Sequence, residues 1–185
     1  MTTPTTFKGC NPYAIARLLV ERAEHELQTA RAGAPDRVVV LPTKPGIEFC
    51  SQLWAIVTTI TPKPSSKARQ ATVGACAAEW RVAITIGVSR CDPMVDQHHP
   101  EQPAEPVVYD SGTRDMLDDL EALRRAILGA DWSVVDVDPV QVTFGPTRMI
   151  QTGAGIAVEW DLLVDTELGR MADEAVPMLP GDPRR

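Results

Sequence analysis

Apolar side chains recur at Ile15, Leu18, Leu19, Ala23, Leu27 and Ala30, the spacing of a single helical face. Asn11 is a capping residue type, Pro12 suits a first helical position and Gly33 suits a stop, so an amphipathic helix is predicted over residues 13–32. The period then changes. Residues 36–41, with Val38, Val39 and Val40, read as a strand halted by Pro42, and Pro45 and Gly46 form a turn. Residues 52–61 set Trp54, Ile56, Thr58 and Ile60 on one face and Leu53, Ala55, Val57 and Thr59 on the other, which predicts a central strand covered at least partly on both sides. The clearest strand spans 79–91, where Trp80, Val82, Ile84, Ile86 and Val88 alternate with Arg81, Ala83, Thr85, Gly87 and Ser89. These two strands are expected to form a long antiparallel hairpin. Its tip is the exposed loop 61–77, which carries Lys63, Lys67 and Arg69 and no acid.

Residues 92–106 are proline-rich and acidic, a surface excursion that neither helix nor central strand tolerates. A second helix follows, with Met116, Leu117, Leu120, Leu123, Ile127 and Leu128 as its apolar stripe and Gly129 as its stop. Asp115, Asp118 and Asp119 load its first turns and Arg124 and Arg125 its last, as the helix dipole prefers, while Asp110 and Ser111 read as capping residues just ahead of it. Strands are expected over 132–138, 141–144 and 155–165, the last marked by alternating Ile156, Val158, Trp160, Leu162 and Val164. A glycine-bearing loop over 145–153 carries Arg148 and Met149. Two helices among this many strands do not supply the crossovers of an all-parallel sheet. The expectation is an α+β fold, two helices packed on a largely antiparallel sheet of five to six strands. Residues 1–165 are read as one α+β domain and 166–185 as an extended C-terminal arm.

Composition narrows the function more than the fold. The 185 residues are 44% hydrophobic and 23% charged, enough for a real core without disulfide staples. Eighteen basic against 25 acidic residues leave a net charge of −7, which disfavours a protein whose main task is gripping nucleic-acid phosphates. No apolar run reaches the length of a membrane span and the first residues are polar, so no membrane, no signal peptide and assembly in a cytoplasm are expected. Cys10, Cys50, Cys76 and Cys91 are scattered without a C-x-x-C pair. Reduced thiols packed as small hydrophobes are expected, with a disulfide formed after release from a cell as the other reading.

Fragments that mimic catalytic motifs are incomplete. Gly87-Val88-Ser89-Arg90-Cys91 resembles a nucleophile elbow but lacks the final glycine and runs from a strand into proline-rich loop. Asp110-Ser111-Gly112 matches the aspartic-protease triplet, yet that chemistry needs two carboxylates sharing one site. A small hydrolase using Asp110 or Ser89 therefore stands as an alternative and not as the main expectation. His98 and His99 with Asp96 and Glu101 could ligate a metal, and a zinc site built from the cysteines with His25 would draw on distant segments; no metal is expected. The glycines fit no nucleotide-binding pattern, so no cofactor is expected. Trp54, Trp80, Trp132 and Trp160 are read as core or subunit-interface anchors. The basic loop has no aromatic interleaving for stacking on single strands; it is either a solvated loop or a contact to an acidic partner or a duplex backbone. Residues 92–121 hold nine acids and one base, Arg114, so two identical subunits could attract head to tail, the geometry that builds rings.

The chain resembles the head–tail connector and tail-terminator proteins of long-tailed phages that infect actinobacteria. The resemblance is carried by Cys50-Ser51-Gln52-Leu53-Trp54 opening a strand that ends in Thr61-Pro62, and by Trp80-Arg81-Val82 leading through Gly87-Val88-Ser89-Arg90-Cys91-Asp92-Pro93. Leu120-Glu121-Ala122-Leu123-Arg124-Arg125-Ala126-Ile127 and a closing β-hairpin complete it, over about residues 10–165. It implies a tail-terminator-like fold and no catalysis. It also implies a homo-oligomeric ring, expected to be a hexamer, that ends tail-tube growth at the head-proximal end of the tail. The implied partners are the tail-tube protein, a head connector or stopper protein, and genomic DNA passing through the channel without sequence-specific binding. The implied location is the head–tail junction of the virion. A stopper or adaptor of the neck is the alternative within the same group. Lys63, Lys67, Arg69 and Arg148 are the candidates for charged lumen or inter-ring contacts, and Trp54 and Trp160 for assembly.

Overall fold

Asn11 starts the first helix by accepting a 2.8 Å hydrogen bond from the Tyr13 amide, with Pro12 at the first position, where no amide is needed. This helix, α1 (Pro12–Leu27), buries Ile15, Leu19, Val20, Ala23 and Leu27 on its inner stripe. It ends earlier than the predicted residue 32, and the chain turns through Gly33 at φ +73°, a conformation that favours glycine. The computed structural model describes residues 11–45, 51–63, 79–91, 105–152 and 155–168. The predicted arm from 169 onward, the tip of the basic loop with Lys67 and Arg69, the histidine pair, and Cys10, Cys50 and Cys76 lie outside them.

Five strands follow the helix in one sheet: β1 (Arg37–Leu41), β2 (Gln52–Pro62), β3 (Trp80–Cys91), β4 (Val142–Thr152) and β5 (Gly155–Thr166), in the spatial order β1-β2-β3-β5-β4. The second helix, α2 (Pro106–Gly129), stands between β3 and β4 in sequence. β1 pairs parallel with β2, and every other pairing is antiparallel, so the sheet is mixed. The predicted hairpin of β2 on β3 is present, from Gln52 opposite Ser89 to Pro62 opposite Trp80. The fold class is α+β, two helices packed on this five-stranded sheet.

Alternation decides which side of each strand meets the helices. Leu53 and Ala55 of β2, Val82, Ile84, Ile86 and Val88 of β3, and Val158, Leu162 and Val164 of β5 form one core with the inner residues of α1 and α2. Each fully buried aliphatic side chain of this kind contributes roughly 2 kcal/mol of transfer free energy. The opposite face is not simply solvated. Trp54 lies there across Gly87, and a β-carbon at position 87 would stand 2.4 Å from the indole Cζ2, so the ring needs glycine beneath it.

Several expectations are corrected. Residues 132–138 are not a strand: Trp132–Val135 is a 3-10 turn capped by Asp131, and Asp136 closes it in a left-handed conformation at φ 57°. Of the loop expected over 145–153, residues 145–152 are not a loop, because β4 continues through them to Thr152. Helix α2 starts at Pro106, so Asp110 and Ser111 lie inside it rather than capping it, and Asp115, Asp118 and Asp119 sit well past its first turn. β2 is covered on both faces only up to Ile56; from Thr58 to Pro62 it is exposed.

Candidate functional site

Two register shifts interrupt the sheet at the same level. One falls in β2 between Val57 and Thr59, the other in β4 between Phe144 and Thr147, on either side of the paired residues Ile84–Leu162 and Thr85–Asp161. Bulges bend a strand and open its surface. Here they flank a hollow of about 350 Å³ bordered by Thr58, Ala83, Thr85, Pro146, Arg148 and Asp161. Gly145 makes the second bulge possible, since a β-carbon there would meet Asp161 Cβ and its carbonyl oxygen, both at 3.0 Å.

Polar side chains on the sheet face away from the helices are knitted into a chain of ion pairs. Thr85 Oγ1 donates to Asp161 Oδ1 at 2.6 Å, and Arg148 Nη2 donates to the same oxygen at 2.7 Å. Arg148 Nε also donates to Glu159 Oε2 at 3.3 Å, while Lys44 Nζ stands 2.7 Å from Glu159 Oε1. Glu159 is only 1% exposed, and two cations from different strands and loops offset its charge. Lys44 follows β1 at one edge and Glu159 belongs to β5, so the segment after β1 runs across the back of the sheet to make this contact. The hydrogen bond to Asp161 is the main reason that the Arg148 guanidinium holds its proton even more firmly than usual. Two acids and two bases leave this face locally balanced, suited to bracing the sheet.

A second cluster sits where the β2–β3 hairpin leaves the body. Lys63 Nζ lies 3.1 Å from both Glu79 Oε2 and Asp165 Oδ2, and Arg81 grips Asp165 with Nε at 2.8 Å and Nη2 at 2.9 Å. The hydrogen bond to Asp165, then that to Glu79, raises the Lys63 ammonium pKa, and the hydrogen bond to Arg81, helped by Lys63, holds the Asp165 carboxyl below its ordinary range against the opposing effect of burial. Beside it is an acidic hollow of about 290 Å³ bordered by Glu79, Asp136, Asp138, Asp165 and Glu167. Among the described residues, no group of three or more histidine, cysteine or acidic side chains is arranged to hold a metal ion. No helix among them is long and apolar enough to cross a membrane.

The structure does not gather the sequence-selected residues into one site. Lys63 and Arg148 are engaged in separate clusters within the subunit. Trp54, singled out for assembly, is a core side chain at 1% exposure and offers no surface to a neighbour. Trp160 is half-buried and packs edge-on against Phe144, ring centroids 5.4 Å apart. Asp110 is exposed on α2 and pairs with Arg114 at 2.7 Å, while Ser89 is buried with its hydroxyl donating to the Gln52 carbonyl at 3.4 Å. Lys44, Glu159 and Asp161 escaped the sequence reading. The alternation of 155–165 does put Glu159, Asp161 and Asp165 together on the face away from Val158 and Leu162, a signal of a polar sheet back. No family model matches the chain, and no curated protein is found to resemble it.

Proposed function

We propose that the chain is a structural subunit of a long-tailed phage that forms a homo-oligomeric ring, a hexamer, at the head-proximal end of the tail. In this reading the ring ends tail-tube growth, joins the tail to the head connector and lets genomic DNA pass without sequence-specific binding. The observation that carries it is the order of elements from Pro12 to Thr166, one helix, three strands, a second helix and a closing β-hairpin, which agrees with the order that the sequence resemblance implies. Two further features support it. The ion pairs of Lys63, Arg81, Arg148 and Lys44 are spent inside the subunit, and the net charge is −7, both suited to a wall past which DNA slides. The outer half of β2, from Thr58 to Pro62, is exposed, as a surface that meets neighbouring subunits must be.

The test is an averaged electron-microscopy reconstruction of the head–tail junction in purified virions, with the chain traced into density. A ring of identical copies on top of the tail tube is the expected result. The same ring nearer the portal would make the protein a stopper or adaptor, and its absence from every particle would overturn the structural reading.

A further inference from the structure

The two outermost strands differ in what they leave open. β4 pairs with β5 along one edge, and alternate residues of an antiparallel strand direct their N–H and C=O groups to the other side. Natural sheets blunt such edges with proline, bulges, charge or brevity. The first half of β4 is blunted, since Gly145 and Pro146 form the bulge and proline has no amide hydrogen to offer. The second half is not. Residues 147–152 run in unbroken register opposite Trp160 to Gly155, and the charge of Arg148 turns over the sheet back toward Asp161.

Among the described residues nothing covers the helix side of β4 either. Register places Phe144, Thr147 and Met149 on the same face as Leu162, Trp160 and Val158, yet α2 lies over β5 and β3, and Phe144 and Met149 are 40% and 53% exposed. At the far side of the sheet β1 is a five-residue strand whose Val38 and Val40 face the helices, and α1 rests on it.

Strand direction relates the two edges. β1 runs with β2, β2 against β3, β3 against β5 and β5 against β4, so β1 and β4 point in opposite senses. When copies are set side by side head to tail, β4 of one therefore meets β1 of the next antiparallel, with both helix faces on the same side. Met149 then continues the row of Val38 and Val40, and the α1 that travels with the incoming β1 comes to lie over the uncovered strip beside α2.

We propose that residues 147–152 of β4 are a strand-accepting edge whose occupant is β1 (Arg37–Leu41) of a second copy of this chain. The inference rests on the ring reading and names its interface: a heterologous contact that closes on itself by rotation, unlike a two-fold contact of β4 with itself. Backbone hydrogen bonds supply the pairing, and the apolar row fixes which face is which.

The experiment is amide hydrogen exchange on the full chain at low and high concentration, together with molar mass from light scattering. As oligomer forms, amides of 147–152 and 37–41 are expected to gain protection together. Met149→Lys, an inward-pointing charge at an exposed site, is expected to weaken association about tenfold or more while leaving circular dichroism and melting unchanged. Assembly with both edges still exchanging freely, a species that stops at a dimer, or a chain that stays monomeric to millimolar concentration would each overturn the inference. The virion reconstruction separates the two readings: a ring with solvent-exposed β4 edges keeps the ring and discards this interface.

Discussion

Arg90 and Asp119 meet side-on, Nε to Oδ2 and Nη2 to Oδ1, both at 2.9 Å, with the carboxylate 1% exposed. The same Nη2 donates to the Gly33 carbonyl at 2.7 Å, so one guanidinium fastens the end of β3 to α2 and to the turn after α1. Burial pushes the Asp119 carboxyl pKa up and Arg90 pulls it back; the two-pronged geometry is that of an ionised pair. Asp119→Ala leaves a buried cation without its partner. It is expected to cost about 3–5 kcal/mol, read from the urea midpoint, and replacing both residues by Met and Leu is expected to recover most of the loss. An unchanged midpoint in the single variant would refute the pair's role.

Gly87→Ala drives a methyl group into the Trp54 ring. Overpacking of this kind costs about 1–3 kcal/mol, and the melting temperature is expected to fall accordingly. Trp54→Leu in the same background is expected to return part of the loss, because it removes the atom that the methyl strikes. Equal damage in single and double variants would mean that Gly87 serves the backbone and not the ring.

Acid sensitivity has a defined sign at Asp165. Its folded pKa is depressed, first by Arg81 and then by Lys63, so the stability that it contributes is fully present above the ordinary aspartate value. That contribution is lost as pH falls from about 4 through the folded value. Asp165→Asn is expected to flatten the stability curve in that window and to leave the slope between pH 6 and 8, roughly the plateau of such curves, unchanged. A variant curve parallel to the parent's below about pH 4 would show that the pairing does not govern this limb.

Period alone made α1, β3 and β5 legible, since apolar residues keep to one stripe of the helix and alternate with small or polar ones in the strands, even though β3 from Ile84 to Ser89 and β5 from Gly155 to Glu159 are buried on both faces. It failed where local chemistry serves two masters. Asp110, Ser111 and Gly112 are capping and turn residues by type, but Pro106 opens the helix ahead of them and the side chain of Asp110 is satisfied by Arg114 four residues on. Trp132, Val134, Val135 and Val137 read as a strand; the Asp131 cap wins, its carboxylate accepting from the Ser133 amide and holding a tight turn. Gly145 and Pro146 were turn signals that instead mark a bulge within β4. The parallel pairing of β1 on β2, the crossing of Lys44 to Glu159 and the bond of Arg90 to Asp119 depend on contacts distant in sequence, which no periodicity encodes.

Glu159 has two cations that are each about half exposed and able to turn to water. Glu159→Gln is therefore expected to cost about 1–3 kcal/mol, the range for a buried group that loses its hydrogen-bonding match, and Lys44→Ala less than about 1 kcal/mol. A double-mutant cycle on denaturant midpoints checks both values. Coupling near zero between Lys44 and Glu159 would remove the brace across the sheet back.

The position of β5 between β3 and β4 sets an order on biosynthesis. β3 finds its second neighbour only after α2, two short turns and β4 have been translated, and β4 has no strand to lie on until β5 emerges. A nascent chain that has not reached Thr166 holds an open, strongly apolar β3 edge together with an unpaired β4, the kind of exposure that seeds aggregation. Sheet closure thus waits until β5 has been made. Pairing so remote in sequence is slow, which makes the interval before it the time when this chain most needs chaperone cover.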